Sequence, residues 1–299
     1  MDSSSFAALM PVGLGAVMFG LGLTLTVADF ALVLRYPKAA LLALCCQLLI
    51  LPLVCLGLVL SFDLNGALAV GMMLLAASPG GIAANLFSHL AGGDVALNIT
   101  LTAVNSVISV FTMPVVIAVS MRHFLASEAA VGLQFGKLAQ VIAIVLVPVA
   151  LGMLARARYP GWAMRSKKAV TLGSVAVLVA VIAAAVVTEF DTLVEQGLRL
   201  LPATLLLSVC SLSIGYLVPR LFRVHRGQAI ASAMEIGIHN ATIAIAVATS
   251  VLADQVMAIP GAIYGLVMFG PAAIAAAVFR RTGRGPETVP MAVVTGEAP

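Results

Sequence analysis

Charge is what this chain has least of. Of its 299 residues only 9% are Asp, Glu, Lys or Arg, while 62% are hydrophobic. A soluble domain carries about 25% charged and about 45–50% apolar residues. Too few charges remain to cover a water-facing surface, so the chain reads as an integral membrane protein, embedded over nearly its whole length. The basic excess of +4 comes without a basic stripe or interleaved aromatics, which excludes a nucleic-acid partner. The four cysteines, Cys45, Cys46, Cys55 and Cys210, show no CxxC spacing and lie in apolar runs. They read as small buried hydrophobes, with no disulfide framework or metal site. HExxH, GxSxG, paired intramembrane aspartates and an ATP-binding motif are all missing, and neither Ser78 nor Ser88 has a base near it in sequence. That argues against an intramembrane hydrolase and against an ATP-driven pump. Residues 1–8 lack the basic n-region of a secretory signal, so the first apolar run is expected to be a mature helix. A tail of under twenty residues is too short to be the output domain of a ligand sensor.

What is present is a series of apolar runs long enough to cross about 30 Å of hydrocarbon. They fall near 9–28, 37–61, 65–78, 105–121, 134–156, 169–188, 198–220 and 256–280. Two further segments, 79–104 ("PGGIAANLFSHLAGGDVALNITLTAV") and 228–253 ("QAIASAMEIGIHNATIAIAVATSVLA"), are long enough to cross but are interrupted by polar residues and glycines. They read as broken helices. The expected fold is therefore all-α and transmembrane: ten helices, with the broken ones fourth and ninth. Two halves of five, about 9–121 and 134–281, would place the breaks at matching positions, and an odd number inverts the second half. Interrupted spans at corresponding places in two halves point to a transporter's binding site. Residues 282–299 are expected to be a disordered tail.

Ten crossings put both termini on one side, and Lys and Arg choose which. One face collects Arg156, Arg158, Arg165, Lys167, Lys168, Arg220, Arg223, Arg226, Arg280, Arg281 and Arg284. The other has Arg35, Lys38, Arg122, Lys137 and Arg199. The first face is expected to be cytoplasmic, with both termini inside a cell (inner) membrane.

Within the second broken segment stands Glu235. A carboxylate at bilayer depth costs about 2.5–3.5 kcal/mol on insertion scales, and no Lys or Arg lies well inside a span to pair with it. Where a membrane helix unwinds, its carbonyls also need partners. Both needs are met by a small cation held by several oxygens. Glu235 and the carbonyls of Ile236 and Ile238 come from one break. The side-chain oxygens of Asn85, Asn98 and Thr102 come from the other, Asn98 and Thr102 sharing a helix face. Asn85 is expected beyond a break at Gly92-Gly93.

The stretches "SPGGIAANLFSHLAGGDVALNITLTAVNS", "AMEIGIHNATIAIAVA" and "MFGLGLTLTVADF" resemble the bile acid:sodium symporter family over about residues 10–280. The resemblance implies a core and a panel domain, with two sodium sites behind crossed, unwound helices. Asn85, Asn98, Thr102 and Glu235 would form the first. Gln47, Glu235, the carbonyls of Ile236 and Ile238, and His239 would form the second. Asn240 would line the substrate cavity, beside His239 and the Pro79-Gly80-Gly81 stretch. Two positions depart from the family pattern. Ala84 stands where a hydroxyl residue is frequent, and His239 where glutamine is frequent. A neutral imidazole offers sodium a poorer lone pair than an amide oxygen does, and it can act as a protonation switch.

The resemblance further implies a sodium-coupled symporter of an organic anion, a bile acid or a smaller carboxylate, working by alternating access in the lipid bilayer with no oligomer required. A proton-coupled carrier relayed by Glu235 and His239 is the alternative. The plainer readings are specific too. Asn85, Thr102 and Gln47 serve equally as interhelical hydrogen-bond glue. Asp94 reads as the N-cap of the helix that follows it. Asp29 and Asp63 sit at loop ends. Gly261-x-x-x-Gly265 and Gly132-x-x-x-Gly136 read as close packing.

Overall fold

The computed structural model describes residues 35–125, 135–163 and 190–282, with isolated residues at 15, 19, 20, 22, 23, 165, 166, 169 and 173. Inside helices the side chains of 82, 135–146, 190–195 and 198 are excepted. The expected helices at 9–28 and 169–188 and the tail beyond 282 lie almost wholly outside these residues. Everything described is helical or turn, apart from one isolated two-residue bridge. The main elements are α1 (Pro37–Ser61), α2 (Gly66–Ala77), α3 (Ile82–Ala91), α4 (Val95–Phe124), α5 (Phe135–Arg158), α6 (Phe190–Leu221), α7 (Arg226–Gly237), α8 (Ala241–Ser250) and α9 (Val256–Thr282). Within them, Pro37–Ser61, Val95–Phe124, Arg199–Leu221 and Val256–Thr282 are each long and apolar enough to cross a membrane. The protein is a multi-pass membrane protein.

The first broken helix is not where the sequence places it. α2 and α3 make one crossing, interrupted at residues 78–81, and α4 runs unbroken for 30 residues. Gly92-Gly93 is a turn between crossings. Gly92 takes φ +75° and the amide of Gly93 bonds the carbonyl of Ser88, the usual glycine stop for a helix. Asp94 then caps α4 by accepting from the Leu97 amide at 3.0 Å, as expected. Residues 65–124 therefore cross twice, not three times, and the expected total of ten loses one. The reason both termini should share a side goes with it.

The recount also moves charges. Asp94 N donates to Gly227 O, and Arg226 bonds Phe279 O, so the α3–α4 turn, the α6–α7 turn and the end of α9 share a face. Arg199 bonds Asp63 O at the opposite face. α1 ends beside Asp63, so it starts on the basic face and brings Arg35 and Lys38 there. Arg122, at the far end of α4 from Asp94, lies toward the face of Arg199. The expected placement of Arg35 and Lys38 is corrected accordingly.

Local backbone features recur at a spacing of 160 residues. α1 ends with Asp63 at φ +49°, its amide on Leu60 O and the Leu64 amide on Val59 O. α6 ends with Arg223 at φ +60°, its amide on Arg220 O and the Val224 amide on Pro219 O. Both are left-handed stops with a buried apolar residue just after them, Leu64 and Val224. α2 begins three residues beyond one stop and α7 three beyond the other. Asp94 caps α4 through Leu97 N, and Asp254 caps α9 through Met257 N at 3.1 Å. Helix, broken helix and helix thus occur twice, as α1 to α4 and as α6 to α9. The apolar runs at 9–28 and 169–188 stand in the same register.

α5 belongs to neither triplet. Among the described residues its main helical partner is α4. It also packs on Gly15, Phe19, Gly22 and Leu23, where Gly22 and Gly152 are in backbone contact and Arg156 bonds Leu23 O at 3.1 Å. The glycines of α9 work similarly. A Cβ on Gly261 would meet Ile245 Cγ1 at 3.2 Å, and one on Gly265 would meet Ala241 Cβ at 3.1 Å. All four cysteines are free. Cys46 and Cys55 are buried as expected, whereas Cys45 and Cys210 are only partly covered.

Candidate functional site

Two interrupted helices meet at their interruptions. Gly81 N donates to Ile238 O at 2.9 Å and Asn240 N to Pro79 O at 2.8 Å, and Gly80 and His239 pair as an antiparallel bridge. Backbone groups freed by unwinding must be satisfied inside the protein, and here each break satisfies the other. Two further carbonyls are taken by side chains. Gln47 Nε2 donates to Ser78 O at 2.9 Å, and Tyr264 OH to Gly237 O at 2.9 Å. Gln47 reaches this point from a π turn over Cys46–Ile50. Pro52 follows that turn and has no N–H for the helical ladder, which favours such a slip.

Glu235 sits at the crossing, 1% exposed. It lies nine residues past Arg226, roughly 14 Å along the helix at 1.5 Å per residue, close to half the hydrocarbon thickness. Thr102 Oγ1 donates to its Oε2 at 2.5 Å, and Asn105 Nδ2 lies 3.5 Å from its Oε1. Gly80 is so close that a Cβ there would fall within 2.5 Å of the carboxyl group. Among the described residues, every group against this carboxylate is neutral.

The expected site residues divide clearly. Thr102 touches Glu235 directly. Asn98 is one turn back along α4, with Nδ2 on Ala231 O at 2.7 Å, and its Oδ1 is buried without a donor. Asn85 Oδ1, in the first turn of α3, is likewise buried and without a donor. Gln47 and His239 converge on one carbonyl: His239 Nδ1 is 3.3 Å from Ser78 O, the oxygen that also accepts from Gln47. A carbonyl can only accept, so Nδ1 carries the proton. That leaves His239 Nε2 as a buried lone pair with no donor, as is Gln47 Oε1. The carbonyl of Ile238 is engaged by Gly81 N. Asn240 caps α8, accepting from the Ile243 amide at 3.3 Å, and is partly exposed. Pro79, Gly80 and Gly81 form the crossing itself. Four buried acceptors thus have no donor among the described residues, on the crossing itself or on elements packed against α7, and atoms of this kind could hold a hard cation.

Sequence reasoning missed Asn105 and Tyr264. Asn105 follows Asn98 at i+7 and Thr102 at i+3 on one helix face, which is a readable signal. Tyr264 is wholly buried and its ring lies 5.3 Å from that of His239; no local pattern marks it.

A multi-pass all-helical protein with two crossed, interrupted helices and a buried anionic oxygen cluster belongs to the class of membrane carriers. Residues 11–196 match the Sodium Bile acid symporter family, and the chain belongs to that family. The match includes Asn85, Asn98, Thr102 and Asn105 but stops short of Glu235. The chain is 28% identical over 253 residues to the uncharacterized sodium-dependent transporter YocS of Bacillus subtilis (strain 168), over 85% of this chain and 77% of that protein. It is 26% identical over 273 residues to the probable sodium/metabolite cotransporter BASS2, chloroplastic, of Oryza sativa subsp. japonica, over 91% of this chain and 64% of that one. With sodium/bile acid cotransporter 4 of Rattus norvegicus it shares 34% identity over 142 residues, 48% of this chain and 32% of that one. These relatives are named as transporters, and the chain is a transporter-family protein rather than an enzyme.

Proposed function

We propose that this protein is a sodium-coupled symporter of a small organic anion, working by alternating access. The observation that carries the reading is Glu235: a carboxylate buried near mid-membrane, met by neutral donors from Thr102 and Asn105, with buried acceptors that lack a donor among the described residues on the elements packed about it. Sodium on Glu235, Asn85, Asn98 and Thr102 would satisfy the carboxylate and the two asparagine oxygens together. A second ion would use Gln47, His239 and Glu235, with the carbonyls of Ile236 and Ile238 beside them. The anion would bind at the crossing, near Asn240, His239 and Pro79-Gly80-Gly81. There the positive end of α8 compensates for the missing Lys and Arg. α5 and the residues around 15–23 would form the panel against which the two triplets rock. The face carrying Arg220, Arg223, Arg226, Arg280 and Arg281 would be cytoplasmic.

Uptake into proteoliposomes under a sodium gradient, compared with potassium and proton gradients of equal size, tests the coupling ion. Uptake driven by protons alone would overturn the proposal. Asn85→Ala and Thr102→Ala are each expected to raise the sodium concentration for half-maximal uptake about 5- to 10-fold, the value of one oxygen ligand. By reciprocal linkage, saturating sodium should restore most of the substrate affinity. Unchanged sodium dependence in both would make these residues packing glue.

His239 gives a separate expectation. Only a neutral ring offers Nε2 to an ion. Uptake should therefore fall as pH drops through the histidine's own pKa, and high sodium should oppose the fall. His239→Gln should keep uptake and flatten this pH dependence. Identical profiles in parent and variant would place His239 in the wall of the cavity.

A further inference from the structure

We propose that Asn105 holds the carboxylate of Glu235 when no ion is bound, and that it is a positioning residue of the empty site rather than a sodium ligand. This inference rests on the sodium-coupled reading of the same site.

The geometry distinguishes Asn105 from its neighbours. Asn98, Thr102 and Asn105 lie on one face of α4, and all three are buried, Asn105 at 2% exposure. Glu235 stands between the last two, with Oε2 on Thr102 and Oε1 on Asn105. An ionised carboxylate only accepts. An amide oxygen facing it would be repelled, and the amide of Asn105 presents its Nδ2 instead. Its Oδ1 then points away from Oε1 and has no donor in the protein. Asn105 cannot ligate an ion sitting on Glu235 unless the whole amide turns over.

Thr102 is different. Its hydroxyl has a second acceptor within reach, Asn98 O at 3.0 Å. By rotating its proton there it exposes a lone pair to an arriving ion. Thr102 can therefore serve both states of the site, while Asn105 serves the empty one.

The energetic consequence has a definite sign. A hydrogen bond to an ionised group contributes more than one to a neutral partner. Sodium neutralises the carboxylate, so the Asn105 donor matters more before the ion arrives than after. Removing it destabilises the empty protein selectively. Sodium binding should then become tighter, by about fivefold, although a polar group has been lost from the site. Removing a ligand does the reverse.

The test uses the full chain in detergent or nanodiscs, with sodium alone as the probe. Thermal unfolding is followed against sodium chloride, with choline chloride holding ionic strength and potassium chloride as control. For Asn105→Leu, close in size and without a donor, we expect the sodium-free melting temperature to fall by roughly 2–4 °C. The sodium-induced rise should grow, and its midpoint should shift about fivefold to lower sodium. Thr102→Val, one turn away, should shift the midpoint upward. Asn105→Ala provides the same readout if the leucine variant does not accumulate. An unchanged midpoint makes Asn105 simple packing, and an upward shift makes it a ligand; either overturns the inference. If the parent itself responds equally to sodium and potassium, the sodium-coupled reading fails, and the inference fails with it.

Discussion

Glu235→Gln is expected to abolish sodium-driven uptake and sodium-dependent thermal stabilisation while leaving a folded protein in the membrane. The substitution keeps the shape of the side chain and removes its charge. A unit charge about 4 Å from a cation contributes about 4 kcal/mol at the effective dielectric of a protein. Losing it should weaken sodium binding on the order of a hundredfold or more. The glutamine can still accept from Thr102 Oγ1, so the α4–α7 contact survives. A buried charge is costly to keep, so the sodium-free variant should melt no lower than the parent, and a rise is consistent with relief of that cost. Glu235→Ala lacks the accepting oxygens and should lose both function and some stability. Glutamine-variant uptake at unchanged sodium affinity would remove the cation from the site.

Gly80→Ala should be nearly as damaging, for a steric reason. A Cβ at Gly80 would fall within 2.5 Å of the Glu235 carboxyl group, a distance real Cβ atoms do not adopt. The carboxylate cannot easily retreat, because Thr102 and Asn105 hold its oxygens. The backbone cannot easily retreat either, because Gly81 N is bonded to Ile238 O and Asn240 N to Pro79 O. Overpacking of this kind costs about 1–3 kcal/mol, and here the strain falls on the ion site. Sodium-dependent uptake should drop at least roughly tenfold if the equivalent of 1.4 kcal/mol appears in binding. Gly57→Ala on α1, where nothing lies within 4 Å of the new methyl, is the matched control and should behave like the parent. Equal uptake in both variants would show that the close approach at Gly80 is dispensable.

Much of the site can be read from residue types alone. A glutamate without a cationic neighbour in an apolar segment stands out, and so do Asn98 and Thr102 four residues apart. The capping role of Asp94 is equally local. The break was harder because the chain offers two Gly-Gly pairs. Gly80-Gly81 and Gly92-Gly93 look alike in composition, yet one is an unwound crossing and the other a helix stop. What separates them is tertiary: Ile238 and His239 pair with the first, and Gly227 with Asp94 beside the second. The contacts of Glu235 span 130 and 133 residues, beyond any local pattern. The miscount of crossings followed from the same error, since Ile82–Ala91 and the start of α4 together simulate the length of one span. The 160-residue recurrence was hidden because it lives in backbone stops and caps, with little shared side-chain chemistry.

The neutrality of every described group around Glu235 has an electrical consequence. On the sodium-coupled reading, the empty site carries one uncompensated negative charge near mid-membrane, and one bound sodium cancels it. A carrier loaded with two sodium ions and a monovalent anion, as proposed above, is also close to neutral and crosses between its two states with little net charge in the field. The empty carrier does not. Moving a unit charge through the full membrane potential is worth about 2.3 kcal/mol per 100 mV, and an inside-negative voltage drives a negative site outward. Membrane voltage would therefore act on the return of the unloaded protein, resetting it toward the side where sodium is plentiful.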